Sequence, residues 1–312
     1  MKVLVIKPSS LGDVIHALRV ISLLVKEKPN IQIHWVIKKG LEGIIDASGL
    51  VKKHYFFHRG GGWYKYLNLG RELRKERYDF VLDMQGLLRS AVLSRLANGK
   101  KTFGCADGRE FSTFFYQPVG ERSRKSKIHA IEKLLPFLDL FDVNKNDELS
   151  LEFPKSEQLS TFELQPYKSS KNILIFPESR RQEKVWPGFE SLTKIINESS
   201  KASIWVGGSN KDQNFKNCVD LRGKVELSNL PWLIKQASVV ISNDSAPLHI
   251  ASALNKPVIA LFGPTDSSKY GPYPTNSRGR VISSNNGLMS GISTDQVSRA
   301  LFKMIKQDDI QS

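Results

Sequence analysis

Residues 241–272, ISNDSAPLHIASALNKPVIALFGPTDSSKYGP, read as a strand, a sharp polar turn, a short helix, a second strand and a Gly-Pro-Thr loop. The run from Ser238 to Ile241 is apolar and β-branched enough for a buried strand. Asn243, Asp244 and Ser245 are favoured helix N-cap residues, and Pro247 sits where a first helical turn tolerates proline. Ala251, Ala253 and Leu254 carry the helix, Asn255 stops it, and Pro257 to Phe262 return as a buried strand. A helix that starts at the carboxyl end of a parallel strand presents free N–H groups and the positive end of its dipole. That is a seat for a phosphate or diphosphate. An ordinary crossover in which Asp244 only caps a helix has the same spacing, so the stretch settles the βαβ unit and leaves its ligand open.

The N-terminus repeats the rhythm. MKVLVIKPSSLGDVIHALRVISLLVKEKP (residues 1–29) is a buried strand over Val3 to Ile6, a Ser-Ser-Leu-Gly-Asp loop and an amphipathic helix over 13–27. Gly12 permits a tight turn, and Asp13 lies at or just before the first helical turn, where a plain N-cap is one reading. Two strand–loop–helix units near opposite ends imply two Rossmann-like, doubly wound parallel-sheet domains facing each other across a cleft.

Between these anchors, strands are expected at 2–6, 32–37, 79–83 and 101–104, and helices at 13–27, 64–77, 87–97 and 127–141. Residues 143–171 are polar and contain two prolines, which predicts a linker over 151–171 and a short strand at 148–153. The second half resumes with strands at 172–176, 203–207, 238–242, 257–262 and 280–283, and helices at 187–199, 211–219, 229–236 and 246–254. Thr294 to Lys306 form a last capped helix with Val297, Leu301, Met304 and Ile305 on one face. The expected domains are thus 1–150 and 172–293.

A chain of 312 residues is long for one domain and sufficient for two cores of about 150 residues. Apolar content of 40% indicates a globular protein, and the longest apolar runs are strand-sized, too short to span a bilayer. VLVI is too short to be the apolar core of a signal peptide. Cys105 and Cys218 are isolated, without metal spacing, and read as reduced packing thiols of a cytosolic protein. The net charge of +15 is spread over both halves, with a cluster at Arg122, Arg124, Lys125 and Lys127. Nucleic acid, an anionic membrane surface and a phosphorylated acidic substrate would each suit it. No nucleic-acid-binding signature accompanies the charge, which leaves the other two as partners.

SSLGDVIHAL, YDFVLDMQGLLRSA, the Lys-x-Trp-Pro of Lys184 to Pro187, and NDSAPLHIASAL followed by LFGPT lie in this order along nearly the whole chain. In these motifs the sequence resembles the family-nine glycosyltransferases, the bacterial lipopolysaccharide heptosyltransferases. The stretch from Tyr78 through GREFSTFFY to HAIEK is most similar to members that add the first heptose to the inner core. The resemblance implies a GT-B-like pair of domains, acceptor on the first and nucleotide sugar on the second, with the last helix (294–312) crossing back onto the first. It implies inverting transfer of heptose from ADP-heptose to the Kdo region of lipid A–Kdo, at the cytoplasmic face of the inner membrane. No cofactor and no obligate protein partner are expected.

The candidate residues follow from the motifs. Asp13 is the candidate general base, because a sugar hydroxyl is a poor nucleophile and a carboxylate must accept its proton. Ser9, Ser10 and Gly12 shape its loop. Lys184 matches the donor-binding lysine of the family, and Ser179 and Arg180 occupy the positions of its phosphate-contacting hydroxyl residues, with Arg180 replacing the usual Thr. Asp244, Ser245 and His249 match the nucleotide-sugar motif, with Ala246 where relatives commonly have Gly and Lys211 where they usually have Glu. No DxD-type carboxylate pair stands out, so protein groups and not a metal are expected to hold the diphosphate. Arg59, Arg89, Arg109 and Lys133 stand at or near positions where the heptosyltransferases place basic residues, fitted to an acidic acceptor. His58 to Trp63, HRGGGW, is a glycine-rich stretch able to order over that acceptor. Rival readings are a family-nine transferase for a later heptose or another nucleotide-linked sugar, and a non-enzymatic basic Rossmann protein that binds RNA or an anionic surface.

Overall fold

The computed structural model describes residues 1–58, 60, 62–122, 127–146, 149–156, 171–210, 213–274 and 278–311, with side chains of the last helix as far as Lys306. It divides into two units, Met1–Lys155 and Ser156–Ser312, each built around one parallel six-stranded sheet.

In the first unit the chain runs β1 (Lys2–Ile6), α1 (Leu11–Glu27), β2 (Gln32–Lys38), α2 (Glu42–Ser48), β3 (Val51–Phe57), α3 (Gly62–Leu73), β4 (Phe80–Asp83), α4 (Leu88–Leu96), β5 (Lys101–Cys105) and β6 (Gln117–Val119). The strand order is β3-β2-β1-β4-β5-β6. After Lys2 the central strand is apolar because helices cover both faces, and Val3 to Ile6 are fully buried. Leu4, Ile6, Val36 and Val81 pack with Leu69 and Leu73 of α3 and Leu93 and Ala97 at α4 on one face.

The second unit runs β7 (Asn172–Phe176), α5 (Phe189–Ser199), β8 (Ser203–Val206), β9 (Val219–Asp220), α6 (Leu230–Gln236), β10 (Val239–Asn243), α7 (Ala246–Ala253), β11 (Val258–Phe262), α8 (Ser267–Tyr270), β12 (Gly279–Ser283) and α9 (Thr294–Gln311). Its order is β12-β11-β10-β7-β8-β9, the same winding as in the first unit. Each sheet reverses winding direction once, between β1 and β4 and between β7 and β10. At such a switch point adjacent loops leave in opposite directions and open a crevice at the carboxyl edge.

Several expectations need correction. The boundary falls at Lys155, inside the expected 151–171 stretch; Leu149, Leu151 and Phe153 are buried in the first unit and the Lys155 N–H bonds Ala47 O at 3.0 Å. Residues 149–153 form no strand, and 157–170 lie outside the described residues. The helix expected at 127–141 is a series of turns ending in a 3-10 helix at Leu135–Phe141. Pro136 accounts for this: it has no N–H to donate, and its ring would clash with the carbonyl four residues back. Of the helix expected at 211–219, Lys211 and Asp212 lie outside the described residues and 213–218 are irregular. The Arg222 guanidinium there takes the carbonyls of Asn210 (3.1 Å) and Gln213 (2.8 Å) out of any helical ladder. Val297, Ala300 and Leu301 of α9 are buried in the second unit with Leu192, Ile196 and Ile259, and the side chains beyond Lys306 lie outside the described residues.

Candidate active site

In the second unit a single tryptophan organises the switch point. Trp186 is fully buried, stands edge-on to Phe189 at 5.1 Å and donates Nε1–H to Ile292 O at 2.9 Å. Gly188 makes room for it, since a Cβ there would lie 2.2 Å from the indole. The fully buried Asn243, last residue of β10, ties down the same loop. Its Oδ1 accepts the Trp186 N–H at 3.1 Å and its Nδ2 donates to Pro177 O at 3.2 Å. The segment between these anchors closes as a 3-10 turn at Gln182–Lys184, which aims Lys184 across the switch point.

Lys184 Nζ donates to Asp244 Oδ2 at 2.5 Å, with the two side chains only 15% and 7% exposed. The Thr265 hydroxyl, in the loop after β11, donates to the same oxygen at 2.7 Å. His249 Nε2, one turn into α7, lies 4.0 Å from Asp244 Oδ1. Asp244 is therefore not the helix cap; Ser245 holds that position, its hydroxyl 3.1 Å from that of Ser242. Ala246 opens α7 next to Asp244 and Ser245; Pro247 has no N–H and the Leu248 N–H donates to Ser245 O at 3.1 Å, so the first turn contributes the Ala246 N–H and the positive end of the helix dipole. Ser179 is half-buried and Arg180 exposed in the same β7 loop. Lys211 lies outside the described residues.

Thr265, Asn243 and Glu178 are additions to the residues read from the sequence. The Glu178 carboxylate accepts the backbone N–H groups of Ser209 (2.7 Å) and Asn210 (2.6 Å), joining the loops after β7 and β8. Gly208, at φ +123°, allows this approach. The LFGPT motif was a signal for Thr265; Glu178 carries none.

In the first unit α1 begins at Leu11, two residues earlier than expected, with Ser10 as N-cap. Asp13 turns back from the third helical position, its Oδ2 accepting the Ser10 N–H (2.9 Å) and hydroxyl (2.5 Å). Gly12 is a helical residue without positive φ, so it does not serve as the tight turn. Across the switch point, Lys7 Nζ donates to Met84 O at 2.8 Å and locks the β1 loop to the β4 loop. The fully buried Asp83, also missed, accepts from the Gln85 N–H (2.9 Å), the Gly86 N–H (3.1 Å) and the Ser90 hydroxyl (2.9 Å). Burial pushes its carboxyl up to about 6, against the pull of those three donors.

Of the basic candidates, Arg89 and Arg109 are exposed at the loops after β4 and β5, on the same carboxyl edge as Asp13. The Arg109 N–H bonds Gly86 O at 2.8 Å, which joins the two loops. Lys133 is already paired with Asp107 at 2.6 Å. Arg59 lies outside the described residues, as does Gly61 of the glycine-rich stretch. Among the described residues there is no group of three His, Cys, Asp or Glu able to hold a metal ion.

Residues 66–296 match the family model described as Glycosyltransferase family 9 (heptosyltransferase). The lipopolysaccharide heptosyltransferase 1 of Campylobacter coli is 30% identical over 292 residues, 86% of this chain and 85% of that protein. The glycosyl transferase family 9 structure from Veillonella parvula superposes with a TM-score of 0.84 at 20% identity, over 98% and 97% of the two chains. The E. coli heptosyltransferase WaaC, solved with ADP-2-deoxy-2-fluoro heptose, superposes with a TM-score of 0.80 at 22% identity, over 97% and 99%.

Proposed function

Because this chain belongs to glycosyltransferase family 9, we propose that it moves heptose from ADP-heptose to the Kdo region of the lipopolysaccharide inner core, with inversion and without a metal. The observation that carries the reading is the buried Lys184–Asp244 pair at the second switch point, beside the N-terminus of α7. The leaving diphosphate gains charge as the glycosidic bond breaks. A preorganised ammonium and the positive end of the α7 dipole answer that charge without reorganising. Asp244 and Thr265 position Lys184 for this task, and Asp244 and His249 offer polar atoms to the nucleotide sugar. Ser179, Arg180, Ser245 and Ala246 complete the donor site.

On the first unit Asp13 takes the proton of the acceptor hydroxyl as that oxygen attacks the anomeric carbon. One displacement without a covalent enzyme intermediate inverts the configuration. Ser10 holds the Asp13 carboxylate in one orientation, and Ser10 with Gly12 of the first helical turn completes the acceptor side of this base. Arg59, Arg89, Arg109 and Lys133 receive the carboxylates and phosphates of the acceptor. The name of the Campylobacter coli relative supports the choice of the first heptose. An acceptor anchored in lipid places the enzyme in peripheral contact with the cytoplasmic face of the inner membrane. No helix among the described residues is long and apolar enough to cross a bilayer.

A panel of ADP, UDP and GDP and their sugars tests the donor by thermal shift. A ligand at a hundred times its dissociation constant adds about 2.7 kcal/mol of stability. ADP-heptose is expected to give the largest shift; a larger shift with a UDP- or GDP-sugar contradicts the assignment.

A further inference from the structure

The first unit exposes large aromatic side chains that its core does not use. Trp63 is 75% exposed, Tyr64 61%, Phe111 78% and Phe114 83%. Leu88 joins them at 38%. All five lie just beyond the carboxyl ends of β3, β4 and β5, on one edge of one sheet. Isolated exposed apolar residues are ordinary, whereas a cluster of aromatics on one edge marks a binding surface.

The two phenylalanines are presented by a braced turn. Glu110 and Phe111 adopt left-handed backbone at φ +58° and +60°, a conformation that non-glycine residues rarely hold unless their surroundings impose it. The surroundings here are specific. The buried Ser112 hydroxyl is bonded to Gly86 O at 3.3 Å and lies 3.0 Å from Tyr116 Oη, which donates to Cys105 O at 3.1 Å. Gly108 permits this closure, since a Cβ there would lie 2.3 Å from the Ser112 hydroxyl. The outer side of the turn then holds Phe111 and Phe114 stacked at 6.3 Å, pointing away from the core that anchors them.

Cations accompany the aromatics. Lys65, Arg89 and Arg109 are exposed on the same loops and first turns, and exposed Arg122, just after β6, bonds Thr113 of the braced turn at 3.3 Å. The carboxylate of the neighbouring Glu110 is engaged by the N–H of Leu88 at 3.2 Å. The first unit as a whole holds 27 Lys and Arg against 17 Asp and Glu.

We propose that the aromatic edge formed by Trp63, Tyr64, Leu88, Phe111 and Phe114 docks the first unit onto an anionic phospholipid bilayer, with the surrounding Lys and Arg side chains at the level of the headgroups. Aromatic side chains with polar handles favour the interfacial zone, phenylalanine rings enter the acyl boundary, and each cation near an anionic leaflet adds to the attraction. Charge decides between a bilayer and a second copy of the chain, because a surface this basic repels its own image. This docking rests on the lipid-linked acceptor proposed above and identifies the surface that would reach it.

The test uses the full chain with phosphatidylcholine vesicles, with or without phosphatidylglycerol, in sedimentation assays. The wild type is expected to bind the anionic vesicles, and salt to weaken that binding over the Debye range. Phe111→Ser with Phe114→Ser should lower the partition coefficient by roughly tenfold per phenylalanine. Heptosyl transfer to a deacylated, water-soluble acceptor should stay unchanged in that variant, which also shows that it is folded. Quenching of Trp63 emission by brominated lipid, lost in Trp63→Phe, supplies a second readout in the otherwise unmodified chain. Undiminished vesicle binding by the double variant overturns the proposal, as does a wild type that transfers heptose yet ignores anionic vesicles. Self-association abolished by the double variant, without vesicle binding, assigns the edge to a second copy and overturns it too. Vesicle binding lost in the variant, in a protein that transfers no heptose to any acceptor, supports the docking surface and refutes the heptosyl reading.

Discussion

Replacing Lys184 by methionine separates its two duties. Methionine keeps an unbranched apolar stem and removes the charge. The Lys184 ammonium lies 2.5 Å from Asp244 Oδ2 at a site where both side chains are largely buried, so the variant strands a carboxylate there. Breaking a buried pair from one side costs about 3–5 kcal/mol. The Thr265 hydroxyl at 2.7 Å still donates to that oxygen, which places the loss near the lower end, about 3 kcal/mol. For a unit of this size each kcal/mol moves Tm by roughly 2–4 °C, so the second unit should melt about 6–12 °C earlier by calorimetry. Donor binding loses a charge-assisted contact of about 1.5–3 kcal/mol, which weakens the Kd for ADP by about 10- to 150-fold in titration calorimetry. Adding Asp244→Asn removes the stranded charge, so the double variant should regain most of its Tm and none of its ADP affinity. A single variant with wild-type Tm and wild-type affinity refutes the reasoning. A double variant that regains ADP affinity refutes the assignment of Lys184 to the diphosphate.

Alanine at Arg89 and Arg109 should raise the acceptor KM and blunt its salt dependence without changing ADP affinity, read from initial rates at two NaCl concentrations. Asp83→Asn tests the buried carboxyl. A folded value of about 6 against the ordinary 3.8 means its favourable contribution is complete below about pH 4 and is lost as pH rises toward 6. The wild type should therefore lose about 3 kcal/mol relative to the variant between those limits, as read from paired urea titrations. Chelator should leave the transfer rate unchanged, and a rate restored only by added Mg²⁺ would contradict protein-only stabilisation of the leaving group.

The central strands and the helices that flank the two switch points were legible because they obey simple patterns. VLVI, ILIF of β7 and VIALF are apolar on both faces, as strands in helix-covered parallel sheets must be. Of the edge strands only β12 was legible, expected at 280–283. β3 sets the adjacent exposed Lys52 and Lys53 before a single buried Tyr55, β6 carries Pro118, and β9 is two residues long, so none of these three has a strong period-2 signal. The expected helix at 127–141 failed for a local reason, Pro136, and the one at 211–219 for a tertiary one, the carbonyl-gathering Arg222. At the site, Lys184, Asp244 and His249 were found from motifs, and the structure brings them together. Thr265 and Asn243 were missed as partners because their roles are distances between loops far apart in sequence. The non-enzymatic rival does not survive membership in an enzyme family.

Heptosyl transfer itself is the most direct measurement. Purified protein is mixed with ADP-heptose and a Kdo-bearing lipid A acceptor, and the product is read by mass spectrometry and by the anomeric coupling of the new sugar. The wild type should add one heptosyl residue with inverted configuration. Asp13→Asn should bind ADP normally while turning over about 10²–10⁴-fold more slowly, because its amide accepts no proton. Transfer by Asp13→Asn at the wild-type rate, or no heptosylated product from a wild type that binds ADP-heptose, would contradict the assignment.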